Sequence, residues 1–142
     1  METFKIYLSG SMMDSSWEEQ TKWRRRFQDA IKFGDYDYEK KVVFFDPTQY
    51  YNFEEKRQKS EREVMEFDLY NLRNSNLVVV NLNNPKSLGT MSELILAYEY
   101  HIPVIGWNSS GETLHPWIEC CITRMCGNIK EAVEHTVEFY LN

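Results

Sequence analysis

No stretch of this chain approaches the roughly 20 consecutive apolar residues of a membrane span. Its first residues, METFKIYLSG, lack the charged-then-apolar layout of a secretory leader, so a cytoplasmic location is expected. Cysteine is scarce and odd in number. Cys120, Cys121 and Cys126 have no second Cys/His cluster to pair with, which leaves neither a disulfide framework nor a zinc-binding spacing. They read as reduced packing residues. The three histidines, His101, His115 and His135, share no spacing that would hold a metal. An excess of positive charge is also missing. Sixteen Lys and Arg against twenty-two Asp and Glu give −6, which argues against broad binding to nucleic acid. Neither GxGxxG nor GxxxxGK followed by Ser or Thr occurs, so the usual dinucleotide and P-loop readings fail. With no internal repeat, low-complexity tract or linker, the 142 residues are expected to form one domain, 1–142.

What is present is a well-patterned globule, 42% hydrophobic and 15% aromatic, a composition that disordered chains do not have. Apolar β-rich runs alternate with helical periods. FKIYLSG (4–10) predicts a strand, and 15–34 follows with helical spacing at Trp23, Phe27, Ala30 and Ile31, a capping-box pattern at Ser15 and Glu18, and Gly34 as a stop. KVVFFDP (41–47) suits a strand buried on both faces. A loop with some helical turns precedes a helix from about Ser60 to about Asn74, capped by Ser60 and Glu63. NLVVVNLN (76–83), with three consecutive valines, fits a central parallel strand. After it come an apolar helix directly behind the Ser87, Gly89 and Thr90 run, a strand at 102–108, a short fifth strand in CCITRM, and a last helix from Asn128. The pattern predicts an α/β fold: an open, mostly parallel sheet of four to five strands with helices on both faces, Rossmann-like or flavodoxin-like. In such sheets ligands bind beyond the carboxyl ends of the strands. That directs attention to SGSMMDSS, FDPTQYY, LNNPKSLGT and GWNSSGE.

Three elements there could carry chemistry. The first loop offers Gly10, whose missing side chain would let a ligand approach the backbone, with Ser9 and Ser11 as donors. A plain serine-rich turn is the alternative. Asp68 lies four residues after Val64 and four before Leu72, on an apolar stripe. A carboxylate there is costly unless partnered, and Arg62 or a backbone amide is the structural alternative. Glu93 follows Ser87, Gly89 and Thr90 and is expected in the first helical turn, where the macrodipole favours a carboxylate. The same position would keep a nucleophilic carboxylate ionised, with Gly89 clearing space above it and Ser87 binding an adjacent oxygen. Glycosidic cleavage needs such a carboxylate plus an acid near the leaving group. Tyr50 and Trp107, in loops at the ligand edge, are candidates to stack on a base, although most aromatics fill cores.

YLSGSM, FDLYNLRNSNLVVVNLN and KSLGTMSELILAYEY together resemble the nucleoside 2-deoxyribosyltransferase family, which includes the related 2′-deoxynucleoside 5′-phosphate N-hydrolases. The likeness is best over 4–12 and 64–107, with a weaker echo in WRRRF and FFDP. It implies that Glu93 of GTMSE is the nucleophile, that Tyr7 holds its carboxylate, that Asp68 protonates the leaving base, and that Ser87 is a sugar or phosphate ligand. The sequence departs from the family's pattern at Asn76, where many members have Asp, and has no arginine in the first loop, where the hydrolases place one. Arg24 in KWRRRF is a candidate substitute; a charged, solvated helix face is the other reading of that run.

The resemblance implies a double displacement at the anomeric carbon of a 2′-deoxynucleoside or its 5′-monophosphate, through a covalent deoxyribosyl-Glu93 intermediate that passes to a second base or to water. No metal or cofactor is required. The expected partners are the small-molecule substrate and further copies of the chain in a homo-oligomer that helps to close each pocket; no stable nucleic-acid partner and no membrane are expected. A catalytically silent nucleotide-binding or sensing module of the same fold is the alternative. A purely structural protein would leave Tyr7, Asp68 and Glu93 without a shared purpose.

Overall fold

A computed structural model describes residues 2–12, 16–51 and 57–142. Five strands, β1 (Thr3–Gly10), β2 (Lys41–Phe45), β3 (Leu77–Asn81), β4 (Val104–Trp107) and β5 (Arg124–Cys126), form one sheet in the order β2-β1-β3-β4-β5. Every neighbouring pair is parallel. Among the described residues five α-helices cover it: α1 (Trp17–Phe33), α2 (Glu61–Arg73), α3 (Leu88–Glu99), α4 (Pro116–Cys121) and α5 (Ile129–Tyr140). Among the described residues no helix is long and apolar enough to cross a membrane.

The alternation of side chains along each strand builds two cores. Ile6, Leu8, Val79, Ile105 and Trp107 pack with Trp23, Phe27 and Ile31 of α1 and with Val133 and Val137 of α5. Tyr7, Val78, Val80 and Val104 face the other way and pack with Leu72 of α2, Leu94 and Ala97 of α3, and Ile118 of α4. The central strand β3 is buried throughout, as its valine run requires.

Several boundaries differ from the sequence expectations for identifiable reasons. The cap of α1 is Ser16, whose hydroxyl accepts from the Glu19 amide at 3.2 Å; Ser15 lies outside the described residues. β2 is an edge strand, so Lys41 and Val43 are exposed and only Phe45 is buried; its apolar run is not buried on both faces. Of CCITRM only the last two residues join β5, because Pro116 starts a short helix that ends at Cys121. Cys121 and Cys126 are packed in the two cores, whereas Cys120 is exposed. α2 begins as expected: Ser60 caps it, accepting from the Glu63 amide at 3.2 Å, while the Glu63 carboxylate accepts from the Lys59 amide.

With strand order 2-1-3-4-5, the chain leaves β1 and β3 toward opposite faces, which opens a crevice at their carboxyl ends. Gly10 closes β1 there. A Cβ on it would sit 3.0 Å from the Trp23 ring and 3.2 Å from the Asn81 carbonyl oxygen. Its missing side chain is therefore occupied by α1, and close helix-to-strand packing, not an approaching ligand, is what requires glycine. Gly89 differs, being exposed with only the Ser87 hydroxyl near its open side at 4.0 Å. Gly10→Ala is expected to lower unfolding stability by about 1–3 kcal/mol, as overpacking does. Gly89→Ala should leave stability unchanged or raise it by up to ~1 kcal/mol, since Ala favours a helix. Denaturant melts of the two variants check this contrast.

Candidate active site

Residues two apart on a strand share a face, so β1 turns Tyr7 and Ser9 together toward α3. There they meet Glu93. The Tyr7 hydroxyl donates to Glu93 Oε2, and the Ser9 hydroxyl donates to Oε1 at 2.9 Å. Tyr7 and Ser9 are fully buried, while Glu93 keeps partial exposure as a residue. Helical spacing sets it beside Thr90, Leu94 and Ala97, the buried stripe of α3.

Glu93 lies six residues past the cap Ser87, in the second turn of α3 and not the first. The macrodipole fades within one turn, so the two hydroxyls hold this carboxylate instead. Burial raises the Glu93 pKa; the bonds from Tyr7 and Ser9 and the positive charge of Arg24 oppose that rise. Burial, reinforced by the charges of Glu93 and Asp68, pushes the Tyr7 phenol well above its usual value, so it stays protonated and can donate.

Asp68 projects from α2, one turn before the fully buried Leu72. Arg62, its candidate structural partner, bonds Glu66 at 3.0 Å instead, and among the described residues Asp68 makes no hydrogen bond or ion pair. Burial first, and then the negative charge of Glu93, raise its pKa to about 7, with Arg24 pulling the other way. Two carboxyl groups are thus near enough to feel each other's charge, one bonded by hydroxyls and one unpaired. Environments that differ in this way assign different protonation states to chemically similar groups.

Around this pair the structure sorts the other candidates. Tyr50 is 40% exposed and stacks on Phe45 at 5.2 Å, and Phe45 stacks on Tyr7 at 5.2 Å. Phe67, next to Asp68 in sequence, packs edge-on to both Phe45 and Tyr50. An aromatic wall therefore runs from Tyr7 to the surface at Tyr50. Trp107 is not part of it. It belongs to the core on the opposite face of the sheet, edge-on to Trp23 and stacked on Phe27, because β4 alternation turns it toward α1. The Ser87 hydroxyl accepts from the Thr90 amide at 3.3 Å and from its hydroxyl at 3.2 Å, so both residues serve the start of α3. The Ser11 amide donates to Asn83 at 3.0 Å, and the Ser109 hydroxyl donates to Asn81 at 2.5 Å, tying together the loops after β1, β3 and β4.

The sequence reading gave Arg24 a different place and missed Asp46. Arg24 is fully buried; it neither lies on a solvated helix face nor reaches out as a phosphate ligand. Its guanidinium donates to the carbonyls of Leu8 (3.3 Å), Gln20 (3.0 Å) and Gly10 (3.2 Å) and lies 3.9 Å from Asp46 Oδ1. Asp46 in turn accepts from the Thr48 amide and hydroxyl and from Gln28. A signal was present: Arg24 stands three residues before Phe27 and seven before Ile31, on the apolar stripe of α1. Asn76, the other departure from the family pattern, sits at the far end of β3. It exchanges backbone and side-chain bonds with Lys5, each of 2.8 Å, away from this crevice.

No model of a known protein family matches the sequence, and no curated protein matches it either. Solved structures do share its fold. A conserved protein from Enterococcus faecalis V583 superposes with a TM-score of 0.73 at 16% identity, over 93% of this chain and 96% of the other. A 2-deoxyribosyltransferase from the psychrotolerant bacterium Bacillus psychrosaccharolyticus gives 0.69 at 19% identity, over 91% and 90%. A CMP N-glycosidase from Clostridium botulinum gives 0.54 at 14%, over 92% and 96%. The α/β fold with its five-stranded parallel sheet is therefore the fold that a deoxyribosyltransferase and an N-glycosidase also adopt.

The raised Asp68 pKa has a stability consequence. The folded protein holds this proton up to about pH 7, whereas the unfolded chain releases it near 3.8. The native state thus binds more protons between these values, and stability falls as pH rises through that window. Asn cannot ionise. Asp68→Asn is expected to match the wild type near pH 4 and to exceed it by roughly 1–3 kcal/mol at pH 8. Urea melts at both pH values test this, and a difference independent of pH would refute the assignment.

Proposed function

We propose that the chain is an enzyme of the nucleoside 2-deoxyribosyltransferase family, cleaving the N-glycosidic bond of a 2′-deoxynucleoside or its 5′-monophosphate. One observation carries the reading: Glu93 is held by the hydroxyls of Tyr7 and Ser9 beside a carboxyl that has no partner among the described residues and whose pKa is about 7. That pairing matches the demands of glycosyl transfer, with a fixed carboxylate for the anomeric carbon and a proton for the leaving group. The shared fold with a 2-deoxyribosyltransferase and a CMP N-glycosidase supports chemistry at a glycosidic bond.

In the first step a Glu93 carboxylate oxygen bonds to C1′ as the C1′–N bond breaks, and the bond's electrons leave with the base, which takes the proton of Asp68. In the second step water attacks C1′, gives a proton to the Asp68 carboxylate and releases the sugar, restoring both groups. If an incoming base replaces water, its ring N–H supplies that proton and the outcome is transfer. The hydroxyls of Tyr7 and Ser9 favour the ionised form of Glu93 and fix which lone pair faces the sugar. The aromatic wall that ends at Tyr50 offers a stacking surface for the base.

A homo-oligomer belongs to this reading, with a second copy against the outer face of α3. That helix is apolar on both sides. Leu94 and Ala97 are buried against the sheet, while Leu88 is 84% and Tyr98 60% exposed, with Ile95 between them on one stripe. Helices apolar all round are usually buried all round, and Leu88 adjoins Gly89 at the start of the same helix, so a copy docked there would border the crevice. Light scattering is expected to report an oligomer that Ile95→Glu with Tyr98→Glu converts to monomer; a monomeric wild type would exclude it.

The chemistry is tested by incubating the protein with the four deoxynucleosides and the four deoxynucleoside monophosphates and measuring free base. Release is expected, lowered at least ~10³-fold in Glu93→Gln and ~10²–10⁴-fold in Asp68→Asn. The rate should fall as pH rises above about 7, where Asp68 loses its proton. A deoxyribosyl adduct on Glu93 should be trapped by mass spectrometry. Binding without release would instead favour a silent nucleotide sensor, and an added second base separates transfer from hydrolysis.

A further inference from the structure

Arg24 occupies an unusual place. It is a fully buried cation on α1, a helix that packs on the face of the sheet opposite Glu93. Its fork does not reach out of the protein. Nε donates to the Leu8 carbonyl at 3.3 Å and Nη2 to the Gly10 carbonyl at 3.2 Å. These two carbonyls flank Ser9, the residue whose hydroxyl bonds Glu93 Oε1 at 2.9 Å. The rigid, planar guanidinium suits such a two-point grip. Nε also lies 3.9 Å from Asp46, whose side chain caps the 3-10 turn Pro47–Gln49 that leads directly into Tyr50.

We propose that Arg24 is a positioning residue for Glu93: by gripping the backbone on both sides of Ser9 it fixes the Ser9 hydroxyl against the carboxylate, and through Asp46 it locks the Tyr50 loop to the same point. This rests on Glu93 being the reactive group. A purely structural role is a weak account of the arrangement, because a buried ion pair typically adds little stability over a well-packed apolar pair. Arg24 also stacks on Trp23, its guanidinium carbon 4.6 Å from the ring centroid, so its position is fixed from several sides. Among the described residues, Tyr7 and Ser9 from β1 bond Glu93, Asp68 from α2 lies in its field, and Arg24 acts on it through the sheet, with Asp46 beside Arg24. Arg24 is the one cation in this set, and its charge favours the ionised form of both carboxyl groups.

The test uses the double variant Arg24→Met with Asp46→Leu, which removes both charges and leaves neither unpaired, and reads the Glu93 titration midpoint by carbon-detected NMR of labelled glutamate. Losing the cation and loosening Ser9 both disfavour the carboxylate, so the midpoint should rise by about one pH unit. In a Ser9→Ala background the same change should be smaller, because part of the effect runs through that hydroxyl. In turnover, kcat should drop ~10-fold with KM little changed, the split expected when a group that touches no substrate misplaces one that reacts. Should the double variant not fold, Arg24→Lys answers the same question. It keeps the charge but cannot span both carbonyls, and the midpoint should still rise, by less. An unmoved Glu93 midpoint in the folded variant overturns the proposal. The NMR reading does not need activity, so an inactive wild type would count against the proposed reaction and leave this result standing.

Discussion

The constraint on which the site depends is a carboxylate drawn out of water. Glu93 keeps partial exposure as a residue, but its carboxylate, set against β1, has lost much of its hydration and is costly without a replacement. The protein supplies that replacement from β1, with the Tyr7 and Ser9 hydroxyls donating to one oxygen each. Their alternation on one strand, and the docking of α3 over that strand, are therefore conditions for the charge to exist there. Burial and the charges of Glu93 and Asp68 push the Tyr7 phenol well above its usual value, so it remains a donor near neutral pH.

The second carboxyl group follows from the first. Among the described residues Asp68 has neither donor nor cation at bonding distance, and it sits in the field of Glu93. The same burial that Glu93 survives through its hydrogen bonds leaves Asp68 holding a proton to about pH 7. Two helices thus bring carboxyl groups in different environments to the crevice where β1 and β3 part, one bonded by hydroxyls and the other with a pKa raised to about 7. Arg24 moderates both from the far side of the sheet, which ties the packing of α1 to the electrostatics of a site that it does not line.

Much of this was legible in the chain. The valine run of β3, the caps at Ser60 and Asn128, and the alternation of strand and helix led to the observed sheet. Asp68 stood out because a charge on an apolar stripe demands a reason, and Glu93 because a carboxylate follows a Ser-Leu-Gly-Thr turn. Other features were misread where local sequence was ambiguous. The apolar run of β2 looked central, yet strand order put it at an edge. Trp107 adjoined a predicted ligand loop, but the pleat turned it to the other core. Gly10 looked like a ligand approach, whereas Trp23 fills its space.

By itself, then, the sequence determined which segments are strands and helices and where several helices start, because periodicity and capping are local. Only the tertiary structure decided what Asp68 and Glu93 touch. The bond from Tyr7 to Glu93 spans 86 residues and that from Ser9 spans 84, while the grip of Arg24 on β1 passes from one layer to another. Partners so far apart in the chain are chosen by strand order and by which face each residue occupies, and neither is written in any single stretch of it.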